Sequence, residues 1–117
     1  MYTIKKEFHF SAGHYLECLP DTHPCARQHG HNYIVVVELK STKLNEAGFV
    51  RDYNDLKFVK DFLDDIVDHY NLNDIVDFNP TAENLAKWMY DTFKISLPEL
   101  SAVEVSETPK TWARYER

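Results

Sequence analysis

Two stretches of alternating polarity, separated by a loop rich in proline and histidine, constrain this chain more than any other feature. Over residues 2–12, Tyr2, Ile4, Phe8, Phe10 and Ala12 share one parity, while Thr3, Lys5, Glu7, His9 and Ser11 share the other; Lys6 is the one violation. Side chains alternate across a strand, so this pattern predicts a strand with one buried face. A second strand is predicted over residues 29–41, with Tyr33, Val35, Val37 and Leu39 on one face. Ile34 and Val36 occupy its other face, which predicts cover on both sides. Residues 13–28, holding Gly13, Pro20, Asp21 and Pro24, read as a long loop.

After a turn at Asn45–Gly48 and a short extended piece at Phe49–Val50, the period changes. Leu56, Val59, Leu63, Ile66 and Tyr70 step by three and four, an amphipathic helix with Asp52 as its N-cap. Asn71–Pro80 reads as a polar loop. Thr81 caps a second helix with Leu85, Trp88, Met89, Thr92 and Phe93 as its apolar positions, ended by Pro98. Ser101–Glu107 and Thr111–Tyr115 are two further strands around a Thr-Pro-Lys hairpin. The order strand, strand, helix, helix, strand, strand specifies an α+β domain: a four-stranded antiparallel sheet with two helices on one face. With 117 residues and no repeat or linker, residues 1–117 form a single domain.

Thirteen basic against nineteen acidic side chains give a charge of −6, which argues against nucleic acid as a partner. The longest apolar run, Tyr33–Val37, falls far short of the roughly 20 residues of a membrane helix, so no membrane partner is expected. The first residues lack the apolar core of a signal peptide, and the expected location is the cytoplasm. Eight carboxylates and two lysines between Asp52 and Asp77 concentrate the acidity on what reads as a solvated helix face.

Five of the six histidines fall within the first 31 residues. His29 and His31 are two apart on a strand and share the inward parity of Tyr33, while Gly30 between them permits close approach. His14 continues the inward parity of Phe8, Phe10 and Ala12 if the first strand runs on. Three imidazoles converging from two strand ends match a zinc site with an open fourth position. Cys25, four residues before His29, reads equally as a fourth ligand or as a thiolate base. Asp68-His69 reads first as a cap on the helix C-terminus and second as a carboxylate–imidazole pair, because adjacent helix positions point about 100° apart. Glu107 shares the parity of Val103 and Val105, and an inward carboxylate there suits a ligand rich in N–H donors. Glu83 and Asp52 stand at helix starts, where acids favour the dipole, and read as structural.

Ser11-Ala12-Gly13-His14, Cys25-x-x-x-His29-Gly30-His31, Asp68-His69-x-x-Leu72-Asn73, Pro80-Thr81-x-Glu83-Asn84 and Glu107-Thr108-Pro109 occur in that order. Together they resemble the 6-pyruvoyltetrahydropterin synthase family, and within it the 6-carboxy-5,6,7,8-tetrahydropterin synthase branch. Three residues between Cys25 and His29 match that branch, while the animal pyruvoyl enzymes carry a longer insert. The resemblance implies a tunnelling fold whose subunits join sheets into a barrel and stack as a hexamer of two trimers. It implies Zn2+ on His14, His29 and His31, Cys25 as proton acceptor, His69 as relay with Asp68 in support, and Glu107 as catalytic relay and pterin anchor. The implied substrate is 7,8-dihydroneopterin triphosphate and the implied product 6-carboxytetrahydropterin, a step towards 7-deazaguanines and queuosine. A pyruvoyl-type elimination and a non-enzymatic zinc module closed by Cys25 are the alternatives. The resemblance turns Cys25 towards catalysis and His69 towards the relay, with a neighbouring chain able to bring the two together.

Overall fold

In the computed structural model, which describes all 117 residues, four strands form one antiparallel sheet in the order β1-β2-β3-β4. The strands are β1 Tyr2–His14, β2 His29–Ser41, β3 Leu100–Thr108 and β4 Thr111–Glu116. Neighbours in sequence are neighbours in space, with β1 and β2 joined by the 15–28 loop and β3 and β4 by the two-residue turn Pro109-Lys110. The first strand does run on, two residues past Ala12, because Gly13 and His14 pair with Gly30 and His29.

The α+β class and the sheet stand as read from the pattern. One face of the sheet supplies Phe8, Phe10, Val35, Val37, Leu39, Val103 and Val105 to a single core. The helices supply Leu56, Val59, Leu63, Leu85, Met89 and Phe93, and most of these are wholly removed from solvent. Each such side chain contributes about 1.5–3 kcal/mol relative to exposure, so this layer outweighs any surface ion pair here. The second helix, α3, spans Ala82–Lys94 and is framed as expected: the Thr81 side chain accepts from the Asn84 N–H, and Lys94 Nζ donates to the carbonyls of Pro98 and Leu100. No helix is long and apolar enough to cross a membrane.

The first helix departs from its pattern. A 3-10 turn, Tyr53–Leu56, leads into α1, Lys57–Phe62, and then into a π turn, Leu63–Val67. The Asp68 N–H donates five residues back, to the Leu63 carbonyl, and the wider turn rotates the face by one residue. Val67 therefore enters the core, while Ile66 and Tyr70, expected inside, are 40% and 52% exposed. Phe49–Val50 forms no strand, and the polar stretch after Asn71 contains a one-turn helix, α2, at Leu72–Ile75. Another 3-10 turn, Pro24–Ala26, lies in the 15–28 loop.

The sheet face away from the helices is only half covered by this chain: Ile34 and Val36 are partly exposed. Glu38 on that face is 4% exposed. Arg114 grips it bidentately at 2.6 and 3.3 Å, and the Ser101 hydroxyl donates at 2.7 Å. Burial alone pushes the Glu38 carboxyl up; the bonds from Arg114 and Ser101 outweigh it and hold the group below its ordinary value.

Candidate active site

The register of β1 on β2 assembles the three histidines. His14 is the cross-strand partner of His29, and His31 faces Ala12 one step along. All three project from the core-side face, and their ring centroids lie 4.5, 4.8 and 5.0 Å apart. One nitrogen from each lies within 4.8 Å of the others, a group able to hold a metal ion.

The hydrogen bonds fix which nitrogens face one another. His14 Nδ1 lies 2.9 Å from the Pro80 carbonyl and His29 Nδ1 lies 2.7 Å from the Arg27 carbonyl. A carbonyl only accepts, so both Nδ1 atoms carry the proton and both Nε2 atoms present lone pairs. Those two Nε2 atoms are 3.0 Å apart. Donors about 2.0–2.1 Å from one tetrahedral zinc stand roughly 3.3 Å apart, so two facing lone pairs at this spacing suit a shared cation. His31 Nε2 is buried without a hydrogen-bond partner, 3.4 Å from Glu107 Oε2. Backbone carbonyls orienting two imidazoles, with a third left orphaned beside a carboxylate, are the surroundings of a metal ligand set. The donor set therefore fits a divalent metal. Burial lowers the pKa of His14 and of His31, against the opposing pull of Glu107, and keeps both imidazoles neutral as ligands must be.

Tyr33, a core position by its parity alone, completes the floor. It continues the parity of His29 and His31, is wholly buried, and lies flat on Phe10 at 4.6 Å. Its hydroxyl is 3.1 Å from His14 Nδ1 and 3.4 Å from Nε2. Burial, then the Glu107 charge, raises the phenol far above its usual pKa, so it stays protonated. The signal in the sequence was its position two residues beyond His31.

Glu107 reaches the histidines from β3, past an irregularity in the β3–β4 ladder between Val105 and Thr108. Cys25 lies in the 3-10 turn, half-buried and unpaired, and is not a member of the three-histidine group. A closed site with Cys25 as fourth ligand is thus not formed here.

Asp68 and His69 form the direct pair that helical geometry had made doubtful. The helix ends at Val67, Asp68 is extended, and His69 takes φ 65°, so the adjacency argument does not apply. His69 Nδ1 donates to Asp68 Oδ2 at 2.9 Å, and Asp68 Oδ1 accepts the Ser11 N–H at 2.8 Å. The Ser11 amide first, and His69 second, hold the Asp68 carboxyl below its ordinary value. The His69 ring is thus committed to Asp68 and bonds no helix carbonyl. Within this one chain, however, His69 is not a member of the three-histidine group. It is 82% exposed and lines a cleft of about 470 Å3 together with Ser11, Gly13, Gly30, Asn32 and His31, the one member of the cluster that borders it.

Comparison with known proteins sets this geometry in a lineage. Residues 3–117 match the family model described as 6-pyruvoyl tetrahydropterin synthase. The chain belongs to that family. Among its relatives, the 6-carboxy-5,6,7,8-tetrahydropterin synthase of Bacillus subtilis is 31% identical, over 97% of this chain and 84% of its own. The dihydroneopterin monophosphate aldolase of Pyrococcus furiosus is 43% identical over 60% of this chain and 59% of its own. The structure of Caenorhabditis elegans 6-pyruvoyl tetrahydropterin synthase superposes with a TM-score of 0.87 at 33% identity, covering 99% of this chain and 95% of that one. This tetrahydropterin synthase family member is accordingly an enzyme, with the fold that the five motifs implied.

Proposed function

We propose that this chain is a zinc-dependent carbon–carbon lyase that converts 7,8-dihydroneopterin triphosphate and water to 6-carboxy-5,6,7,8-tetrahydropterin, releasing acetaldehyde and triphosphate. The observation that carries the reading is the convergence of His14, His29 and His31 beside Glu107 in a member of this family. The carboxy product is favoured over the pyruvoyl outcome by the three residues between Cys25 and His29, the spacing of the carboxy branch that the sequence resembles, and the B. subtilis relative agrees with it. The reading places the enzyme in 7-deazaguanine and queuosine biosynthesis in the cytoplasm.

His14, His29 and His31 would hold the zinc. When bound, it supplies a Lewis acid that polarises substrate oxygen and acidifies neighbouring C–H and O–H bonds. The protein's own groups do the rest. The Glu107 carboxylate accepts hydrogen bonds from the donor-rich edge of the pterin ring and so orients its side chain towards the histidines. Cys25 takes a proton from the substrate side chain. His69, with Nδ1 committed to Asp68, keeps Nε2 free to receive and return that proton. The ionised Asp68 stabilises the imidazolium that forms.

The relay is read as one between chains: His69 is 82% exposed and bonds the Ser11 carbonyl of edge strand β1, free to meet the Cys25 of a second copy. The free edges of β1 and β4 and the half-covered outer face are the surfaces through which copies would join sheets into a barrel, as a hexamer of two trimers.

Mass spectrometry of products from the zinc-loaded protein and dihydroneopterin triphosphate tests the reading. A carboxy-tetrahydropterin with acetaldehyde is expected. A pyruvoyl-tetrahydropterin moves the chain to the sister reaction, and unchanged substrate with zinc bound overturns the proposal.

A further inference from the structure

The loop that carries Cys25 has almost no regular structure of its own, yet its first turn is held at Tyr15 and Glu17 by side-chain amides from one neighbouring segment. Gly13 forms an isolated parallel bridge with Asn71, and its N–H donates to the Tyr70 carbonyl at 3.1 Å. Two residues further along both segments, the Asn73 amide takes the place of a backbone partner. Its Oδ1 accepts the Tyr15 N–H at 2.9 Å, and its Nδ2 donates to the Tyr15 carbonyl at 3.0 Å. Asn79 repeats the arrangement on Glu17, at 2.9 and 3.2 Å, and Asn84 in turn holds the Asn79 carbonyl at 3.0 Å. A primary amide sets one of its two N–H donors beside its carbonyl acceptor in a single plane, so each asparagine satisfies both backbone groups of its partner as a strand would.

Two links pass this restraint on to Cys25. The Leu16 N–H, between the two clamped residues, donates to the Cys25 carbonyl at 2.8 Å. At the far end of the loop, the Asn71 Nδ2 donates to Gln28 Oε1 at 3.1 Å, and Gly13 leaves the room that Gln28 occupies: a Cβ at Gly13 would sit 2.7 Å from its Nε2. The same segment also supplies the Pro80 carbonyl that orients His14.

The geometry points to Asn73 and Asn79 as positioning residues, whose amides set the place of Cys25 relative to the histidine cluster. Neither touches the reacting atoms. The inference rests on the reading of Cys25 as the proton acceptor, and it extends that reading to the residues that hold the thiol in place. Loops move freely unless their backbone groups are paired; here the pairing comes from side chains, and single substitutions can remove it while leaving the core untouched.

The test uses full-length protein carrying Cys18→Ser, so that Cys25 is the one remaining thiol. Iodoacetamide alkylation, zinc content, circular dichroism and steady-state kinetics are compared for Asn73→Ala, Asn79→Ala and the isosteric Asn79→Asp. The expected result is alkylation at least threefold faster in both alanine variants, with kcat down at least tenfold, KM within twofold, and zinc and dichroism unchanged. Asn79→Asp keeps the acceptor for the Glu17 N–H and loses the donor, so it should fall between wild type and Asn79→Ala. Wild-type alkylation in a folded alanine variant, whatever its kcat, overturns the inference. If the alanine variants fail to fold, Asn79→Asp decides by the same criterion. If the Cys18→Ser protein itself turns over no pterin substrate, it is the proposed function that fails, and alkylation still judges the clamp.

Discussion

His69 occupies the left-handed region at φ 65°, a conformation that costs a side chain with a Cβ on the order of 1–3 kcal/mol. What holds it there is on both sides of it: its N–H donates to the Ser11 carbonyl at 2.6 Å, and its ring bonds Asp68. Asparagine tolerates this conformation better than most residues. His69→Asn should therefore leave the thermal midpoint within about 2 °C of wild type while turnover falls by about 10²–10⁴, the range for a lost proton carrier. A variant that loses stability in proportion to activity would assign His69 to folding alone. Cys25 gives a parallel case. Cys25→Ala should retain zinc in full and lose turnover by a similar factor, read by metal analysis and product formation; loss of the zinc would make Cys25 a ligand instead.

At the scale of the element, the π turn is the feature that decides which side chains enter the core. A regular helix would carry Ile66 inward; the extra residue in the turn brings in Val67 and releases the chain at Asp68, where it can pair with Ser11. Val67→Ala should lower unfolding free energy by about 1–3 kcal/mol through the cavity it leaves, whereas Ile66→Ala should stay within about 0.5 kcal/mol. Urea denaturation of the two variants separates the registers, and equal losses would restore the regular helix. The period of three and four was legible in Leu56, Val59 and Leu63. Its slip after Leu63 was not, because Ile66 and Val67 are both apolar and the choice between them lies in tertiary hydrogen bonds to β1.

For the whole molecule, the exposure of His69 beside edge strand β1, outside the three-histidine group, leads to the expectation that each working site draws on two chains. Refolding Cys25→Ala with His69→Asn in equal amounts should restore roughly a quarter of the sites, since each chain supplies what the other lacks. A site built within one chain would recover nothing. The histidine cluster also sets a pH dependence. Burial lowers the pKa of His14 and His31 in the fold, so below about 6.5 the unfolded imidazoles bind protons that the folded ones do not. Stability of the metal-free protein should thus be fully present above that pH and decline as the pH falls through it. The urea midpoint across pH 5–8 measures this, and a flat profile would remove the imidazoles from the account.

The sequence by itself determined the sheet, the two main helices, the caps at Asp52 and Thr81, and the parity that turns His14, His29, His31 and Glu107 inward. These are local properties: side-chain alternation, helical period and the chemistry of a cap act between residues a few positions apart. Only the tertiary structure decided that His14 stands opposite His29, that carbonyls of Arg27 and Pro80 orient the two rings, and that Asp68 leaves the helix to bind Ser11. It also decided the place of Cys25, whose loop is held by asparagines 58 and 62 residues further along the chain than their partners. The hydrogen bonds among them each join one side chain to a backbone group, and because every residue carries the same backbone groups, the sequence does not say which one is the partner.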